Sequence, residues 1–198
     1  MRKNNKNIDI HVKPLCYISL AVALFIVPVQ WLFSWYVALL LHELFHYCAV
    51  RICGRKVYYI QFGLHGAIMN TEELSDRQWL FCALAGPFAG ILLLLTAKWF
   101  PRLAICGLVQ SLYNLLPIYP LDGGRALQGF LSGVLKLQKG ERIGCYIGNA
   151  AFFILFILAL YAVIHLKLGL LPIVFVYLLY LKNRKIKTTC KPSPEGVK

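Results

Sequence analysis

Apolar residues run through this chain in long stretches, and the polar residues between them are mostly basic. Met1 to Pro14 is polar, whereas Leu15 to Leu41 holds no charged residue. As one helix rising about 1.5 Å per residue, the apolar run Leu15 to Val50 would far exceed a hydrocarbon core of about 30 Å. It is read as two spans that turn at Pro28 and Gln30. Further spans are expected at about Trp79–Ala97, Leu103–Pro117, Ile143–Ile164 and Leu168–Leu181, with Pro87 and Pro117 accommodated by neighbouring helices. Between spans two and three, Val57–Asn70 is rich in β-branched and aromatic residues, with Gly63 and Gly66 at turn positions, and reads as a hairpin. The predicted fold is an all-α polytopic membrane protein of about six transmembrane helices, with a short membrane-associated β-hairpin loop after the second.

Composition supports that class. Of 198 residues, 59% are hydrophobic and only 15% charged, too apolar for a soluble domain of this size. The net charge of +13 could point to nucleic acid, but the Lys and Arg residues lie between apolar runs rather than along a face with stacking aromatics. They read as topology signals. Arg2, Lys3, Lys6, Lys13, Arg51, Arg55, Lys56, Arg77, Arg125, Lys136, Lys139, Arg142 and six residues from Lys182 onward fall on one side of a six-span arrangement. Only Lys98, Arg102 and Lys167 fall on the other, which places both termini in the cytoplasm. A five-span alternative scatters these charges. The first span follows a basic stretch as a signal peptide would, but no small-residue cleavage site follows it, so it is read as retained. The expected organisation is a cytoplasmic N-terminal tail (1–14), a membrane domain (15–181) and a basic cytoplasmic tail (182–198) with the composition of a disordered segment.

Within this apolar background three polar residues stand out. His42, Glu43 and His46 lie in LLLHELFHYCAV, and ionisable groups at membrane depth are costly enough to imply function. Positions four apart share a helix face, so His42 and His46 can offer two imidazole nitrogens to one ion, with Glu43 beside it as general base. The alternative is two packing histidines and a Glu bonded to a neighbouring segment. A second stretch, NLLPIYPLDGGR, brings Asp122 to the cytoplasmic end of span four, at the same depth as the His-Glu motif. His42, His46 and Asp122 would give three protein ligands and an open position, the pattern of a catalytic zinc site. Glu43 and Asp122 alone among the eight acids fall within or at the end of a span. The seven cysteines form no C-x-x-C pair and read as reduced small hydrophobes. His65 reads as a water-facing loop residue, and His11 and His165 as interfacial.

With both motifs in hand, the chain resembles the site-2 protease family of intramembrane zinc metalloproteases (peptidase M50), and more closely its bacterial stage IV sporulation protein FB branch. H-E-x-x-H at His42–His46 and N-x-x-P-x-x-x-x-D-G at Asn114, Pro117, Asp122 and Gly123 carry the resemblance, with IHV-P at Ile10–Pro14 and A-G-P at Ala85–Pro87 in support. It implies one zinc ion on His42, His46 and Asp122, Glu43 as catalytic base, and a multi-pass location in a bacterial cell membrane. Asn114 is expected to contact substrate or oxyanion, or else to make an interhelical hydrogen bond. Gly123 is expected beside it in the site, and Gly123 and Gly124 are expected to let the backbone bend. The implied function is endoproteolysis of a membrane-tethered protein near the cytoplasmic face, such as a pro-sigma or anti-sigma factor, in sporulation or a similar response. The implied partners are that substrate and the lipid bilayer, with a regulatory membrane protein and a second copy of the chain left open, and no nucleic acid. The sequence departs from the branch at Gly90, where a polar residue is usual, and it shows neither a CBS nor a PDZ module. Control by cellular energy state is therefore not expected to carry over. An inactive membrane scaffold or chaperone is the main rival, although such proteins typically lose the Glu or a ligand, and a metal transporter is the lesser one.

Overall fold

The computed structural model describes residues 9–12, 21, 23–25, 27–63, 66–119, 121–135, 137–165, 167 and 169–189. Its elements in chain order are strand β1 (Asp9–Val12), helix α1 (Val29–Ile52), strands β2 (Val57–Gly63) and β3 (Gly66–Thr71), and helix α2 (Asp76–Leu92), which tightens into a 3₁₀ turn (Leu93–Thr96). Helices α3 (Pro101–Asn114), α4 (Asp122–Val134), α5 (Leu137–Ile164) and α6 (Leu171–Thr189) follow. The chain divides into two compact units, residues 1–115 and 116–198.

In the first unit, sequence chemistry sets the helix ends. Pro28, with non-helical φ −55° and ψ 134°, precedes α1 and separates it from the run before it, as the sequence predicts. At the other end Gly54 adopts φ +72°, and the N–H groups of Gly54 and Arg55 donate to the carbonyls of Arg51 and Val50. That paired closure is a Schellman cap, which requires a left-handed residue that glycine supplies without strain. Helix α2 starts with a capping box. The Gln78 N–H donates to the Ser75 hydroxyl, and the Ser75 N–H donates to the Gln78 side chain. The Gln78 amide also donates to the carbonyl of Cys53 at 3.4 Å, tying the end of α1 to the start of α2. Pro101 occupies the first turn of α3, where its missing N–H costs nothing.

Small residues let α2 and α3 cross closely. A Cβ on Gly90 would come within 2.3 Å of the Gly107 carbonyl oxygen and 2.1 Å of Ser111 Oγ, so neither an asparagine nor a histidine has room there. The departure at Gly90 is thus a packing choice. Ser111, 1% exposed, satisfies its hydroxyl by donating to the Pro87 carbonyl at 2.8 Å.

The hairpin forms as predicted, but it is part of a larger sheet. Its turn at 64–65, including His65, lies outside the described residues. β2 and β3 pair antiparallel, and β1 pairs parallel with β2 in register Ile10 with Ile60. β1 falls in the stretch read as a polar tail, where four residues are too few to announce a strand without their partner. The order β1-β2-β3 makes β2 the central strand, with Ile60 paired on both sides.

The second unit contains a helix that the sequence reading lacks. Four glycines at 123, 124, 129 and 133 lower the intrinsic helix propensity of α4 by about 1 kcal/mol each relative to alanine, which is why the segment reads as a bend. In the structure Gly123 and Gly124 are helical and buried. Gly124 is needed for close approach, since a Cβ there would lie 2.5 Å from the carbonyl carbon of Ile118 and from the Tyr119 nitrogen. α5 packs on both α4 and α6, with Phe152 and Tyr180 meeting edge to face at 6.0 Å. α6 continues to Thr189, through the first half of the expected disordered tail. Lys and Arg are good helix formers, so a basic stretch after a span can simply extend it.

Asp76–Thr96 and Arg142–Ile164 are long and apolar enough to cross a membrane, and Pro172–Leu181 is a shorter apolar helix. Large apolar side chains such as Phe153, Ile154 and Leu158 stand exposed along α5, as a lipid-facing helix requires. Most of the expected first span, Leu15 to Val27, lies outside the described residues.

Candidate metal centre

α1 carries His42 and His46 one turn apart, on the face it presents to α2 and α3. His42 is buried and His46 half-buried. Their rings meet edge to face at 4.7 Å between centroids, and their Nε2 atoms lie 3.1 Å apart. His46 Nδ1 is 2.7 Å from the carbonyl oxygen of Cys82 on α2. A carbonyl only accepts, so Nδ1 carries the proton and Nε2 presents its lone pair toward His42. Two imidazole nitrogens this close, one a committed acceptor, need a shared proton or a shared cation. Zn–N bonds of about 2.0–2.1 Å in tetrahedral geometry separate two ligand nitrogens by about 3.3 Å, close to the spacing here.

Space for the pair comes from Gly86. A Cβ at this position would lie 2.2 Å from His46 Nε2, 2.6 Å from His46 Cε1 and 2.7 Å from His42 Cε1. The sequence reading recognises A-G-P only as a family feature. Gly86 is a functional residue it misses, because a glycine in an apolar helix looks the same whether it admits a helix or an imidazole. The carbonyl of Cys82 was likewise invisible, since any residue type supplies one.

Glu43 follows His42 on α1 and is half-buried. Asn114, the last residue of α3, places its Nδ2 3.4 Å from His42 Nε2, at the outer limit of a hydrogen bond. This is an interhelical contact on the very atom that would face a metal. In the second unit Asp122 is buried at the first turn of α4, where the positive end of the helix dipole favours a carboxylate. Gly123 follows it, with one of the first-turn N–H groups that have no acceptor within their own helix. Among the described residues, His42, His46 and Asp122 make up a donor group suited to a metal ion. Two neutral imidazoles and a carboxylate are borderline and hard donors of the kind zinc takes.

The chain is 27% identical over 139 residues to a zinc metalloprotease from Methanocaldococcus jannaschii, aligning 63% of this chain with 41% of that protein. It is 27% identical over 150 residues to stage IV sporulation protein FB of Bacillus subtilis, aligning 69% with 52%. A putative zinc metalloprotease of Synechocystis matches at 30% over 142 residues, 60% against 38%. The solved site-2 protease from Methanocaldococcus jannaschii shares the fold, with a TM-score of 0.66 at 21% identity over 100% of this chain and 98% of that one. The chain is thus similar in sequence to zinc metalloproteases and to stage IV sporulation protein FB, and in fold to a site-2 protease. No family model matches the chain. The chain spans 38–52% of the length of the curated relatives it matches.

Proposed function

We propose that the chain is an intramembrane zinc metalloendopeptidase that cleaves a membrane-tethered protein near the cytoplasmic face. The observation that carries this reading is the His42–His46 pair, held at 3.1 Å with its tautomer set by Cys82 and its space cleared by Gly86. His42, His46 and Asp122 would hold a zinc ion, which would supply the Lewis acidity that amide hydrolysis needs. Glu43 accepts the proton of the attacking water on its carboxylate and returns it to the leaving amine. The Asn114 amide and the Gly123 N–H donate to the substrate carbonyl or to the charge that develops on it. The direct test is metal analysis of purified protein. Wild type is expected to hold about one zinc per chain, and His46→Ala little; zinc-free wild type, or unchanged content in His46→Ala, would remove the ligand assignment.

Six spans with both termini in the cytoplasm are part of this proposal, supported by the distribution of basic residues. Single cysteines placed at Arg55 and Lys198 in a cysteine-free background should be labelled from the same side of the membrane. Labelling from opposite sides would reject the arrangement.

A helical substrate must unwind before its peptide bonds are reachable, and a sheet edge can hold the unwound strand. Because Ile60 lies in the central strand, the edge proposed to receive substrate is β3. Successive N–H groups of a strand point to opposite sides, so of Ile68→Pro and Met69→Pro one leaves the ladder to β2 intact. That variant should cleave substrate far less than its alanine counterpart. Equal cleavage by the two would assign the sheet to membrane anchoring, with Tyr58 and Tyr59 exposed at the headgroups.

A further inference from the structure

Among the described residues four polar side chains are buried, those of His42, Gln110, Ser111 and Asp122. His42 and Asp122 belong to the metal group, and Ser111 donates to the Pro87 carbonyl. Gln110, on α3, is 5% exposed, and no described residue hydrogen-bonds its carboxamide. Neither its oxygen nor its nitrogen is sealed off completely, which leaves both within reach of a ligand. Burying a carboxamide without a partner costs stability, so the side chain needs a reason other than folding. Its position supplies one. Cys106, Gln110 and Asn114 are spaced four apart and form one stripe on α3. Cys106 packs in an apolar cluster with Ala38 of α1, and Asn114 Nδ2 lies 3.4 Å from His42 Nε2. Gln110 stands between these two contacts, beside the part of α1 that leads to His42. One turn of α3, about 6 Å, separates it from Asn114.

We propose that Gln110 is a substrate-binding residue that holds the backbone of the unwound peptide beside the metal, by pairing with a peptide group near the scissile bond. A carboxamide carries an acceptor oxygen and two N–H donors, and a peptide group offers one N–H and one C=O, so the two can pair in both directions. An unwound strand among apolar helices has lost both water and its helical partners, and each of its backbone groups must find another. The sheet edge meets that need where the strand enters, and Asn114 meets it at the reacting carbonyl. Residues in a strand advance about 3.3 Å each, so the turn from Asn114 to Gln110 corresponds to about two of them. Backbone pairing ignores side-chain identity and requires an extended chain, so Gln110 selects for unwound substrate rather than for a particular residue. This deepens the proteolytic reading above and rests on it.

The probe is a fluorescein-labelled hexapeptide of alternating Ala and Leu whose central peptide unit is replaced by a phosphinate, a metal-binding group that cannot be hydrolysed. Its binding to purified full-length protein in detergent is read by fluorescence anisotropy, with zinc content and thermal unfolding measured on the same preparations. Gln110→Met keeps an unbranched side chain of similar size and removes the hydrogen-bonding groups. It should bind the probe about tenfold or more weakly, because a backbone group of the probe is then buried unpaired. Its zinc content should match wild type, and its unfolding midpoint should stay level or rise, since a buried carboxamide without a partner has been removed. N-methylating the probe one peptide unit at a time should reveal one position, about two residues from the phosphinate, where wild type loses a similar factor and Gln110→Met loses nothing further. Unchanged probe affinity in Gln110→Met would overturn the proposal, as would N-methylation losses equal in the two proteins at every position. A lowered midpoint in Gln110→Met would make the residue a structural partner and overturn it as well. Wild type that holds no zinc and does not bind the probe would refute the metal reading instead, and the midpoint of Gln110→Met would still decide whether the fold uses the carboxamide.

Discussion

Gly86→Ala, the smallest possible substitution in the chain's interior, should remove most of the zinc and with it the activity. The added Cβ would sit 2.2 Å from His46 Nε2 and 2.7 Å from His42 Cε1. Neither ring can yield easily, because His46 is tethered to the Cys82 carbonyl at 2.7 Å and His42 is buried against α3. Overpacking of this kind costs about 1–3 kcal/mol in stability. Rotating a ligand out of line costs more to function, about 10–100-fold or greater in metal affinity by analogy with the loss of orienting contacts. Gly90→Ala is the matched control, one turn further along α2. Its Cβ would strike Ser111 Oγ and the Gly107 carbonyl, loosening the α2–α3 crossing without touching either imidazole. Thermal unfolding and zinc content of both variants separate the two effects. Gly90→Ala should unfold earlier yet hold zinc while folded, and Gly86→Ala should lose zinc even where it stays folded. Zinc retention in Gly86→Ala equal to wild type would show that the imidazole pair is not the metal's seat.

Those two glycines also show what can and cannot be read from the sequence. The start of α1 is legible because Pro28 is a strong local signal, and the His42–His46 spacing is legible because helical periodicity is fixed. The hairpin is legible from its β-branched and aromatic residues and its two glycines. Its place in a three-stranded sheet is not, since β1 gains its identity only by pairing with β2 across the whole of α1. α4 is illegible for the opposite reason. Its glycines argue against a helix, and packing against Ile118 and Tyr119 overrides them. The basic residues after Leu181 read as tail, whereas the helix continues through them to Thr189. At the site, Cys82 contributes a backbone carbonyl and Gly86 an absence of atoms, and neither leaves a chemical signature in the chain.

Glu43 separates a hydrolase from a metal-binding scaffold in the proposed function. Glu43→Gln keeps the size of the side chain and its capacity to hydrogen-bond, but an amide cannot take up the proton of the attacking water. Zinc content should therefore stay near one per chain, because Glu43 is not among the metal donors His42, His46 and Asp122. Hydrolysis should fall by about 10²–10⁴-fold, the usual contribution of a positioned general base. The measurement is cleavage of a co-expressed membrane-tethered substrate by wild type and Glu43→Gln, with zinc content determined on the same preparations. Retained zinc with cleavage reduced by at least about 10²-fold is the predicted result, and wild-type cleavage by Glu43→Gln would contradict the account.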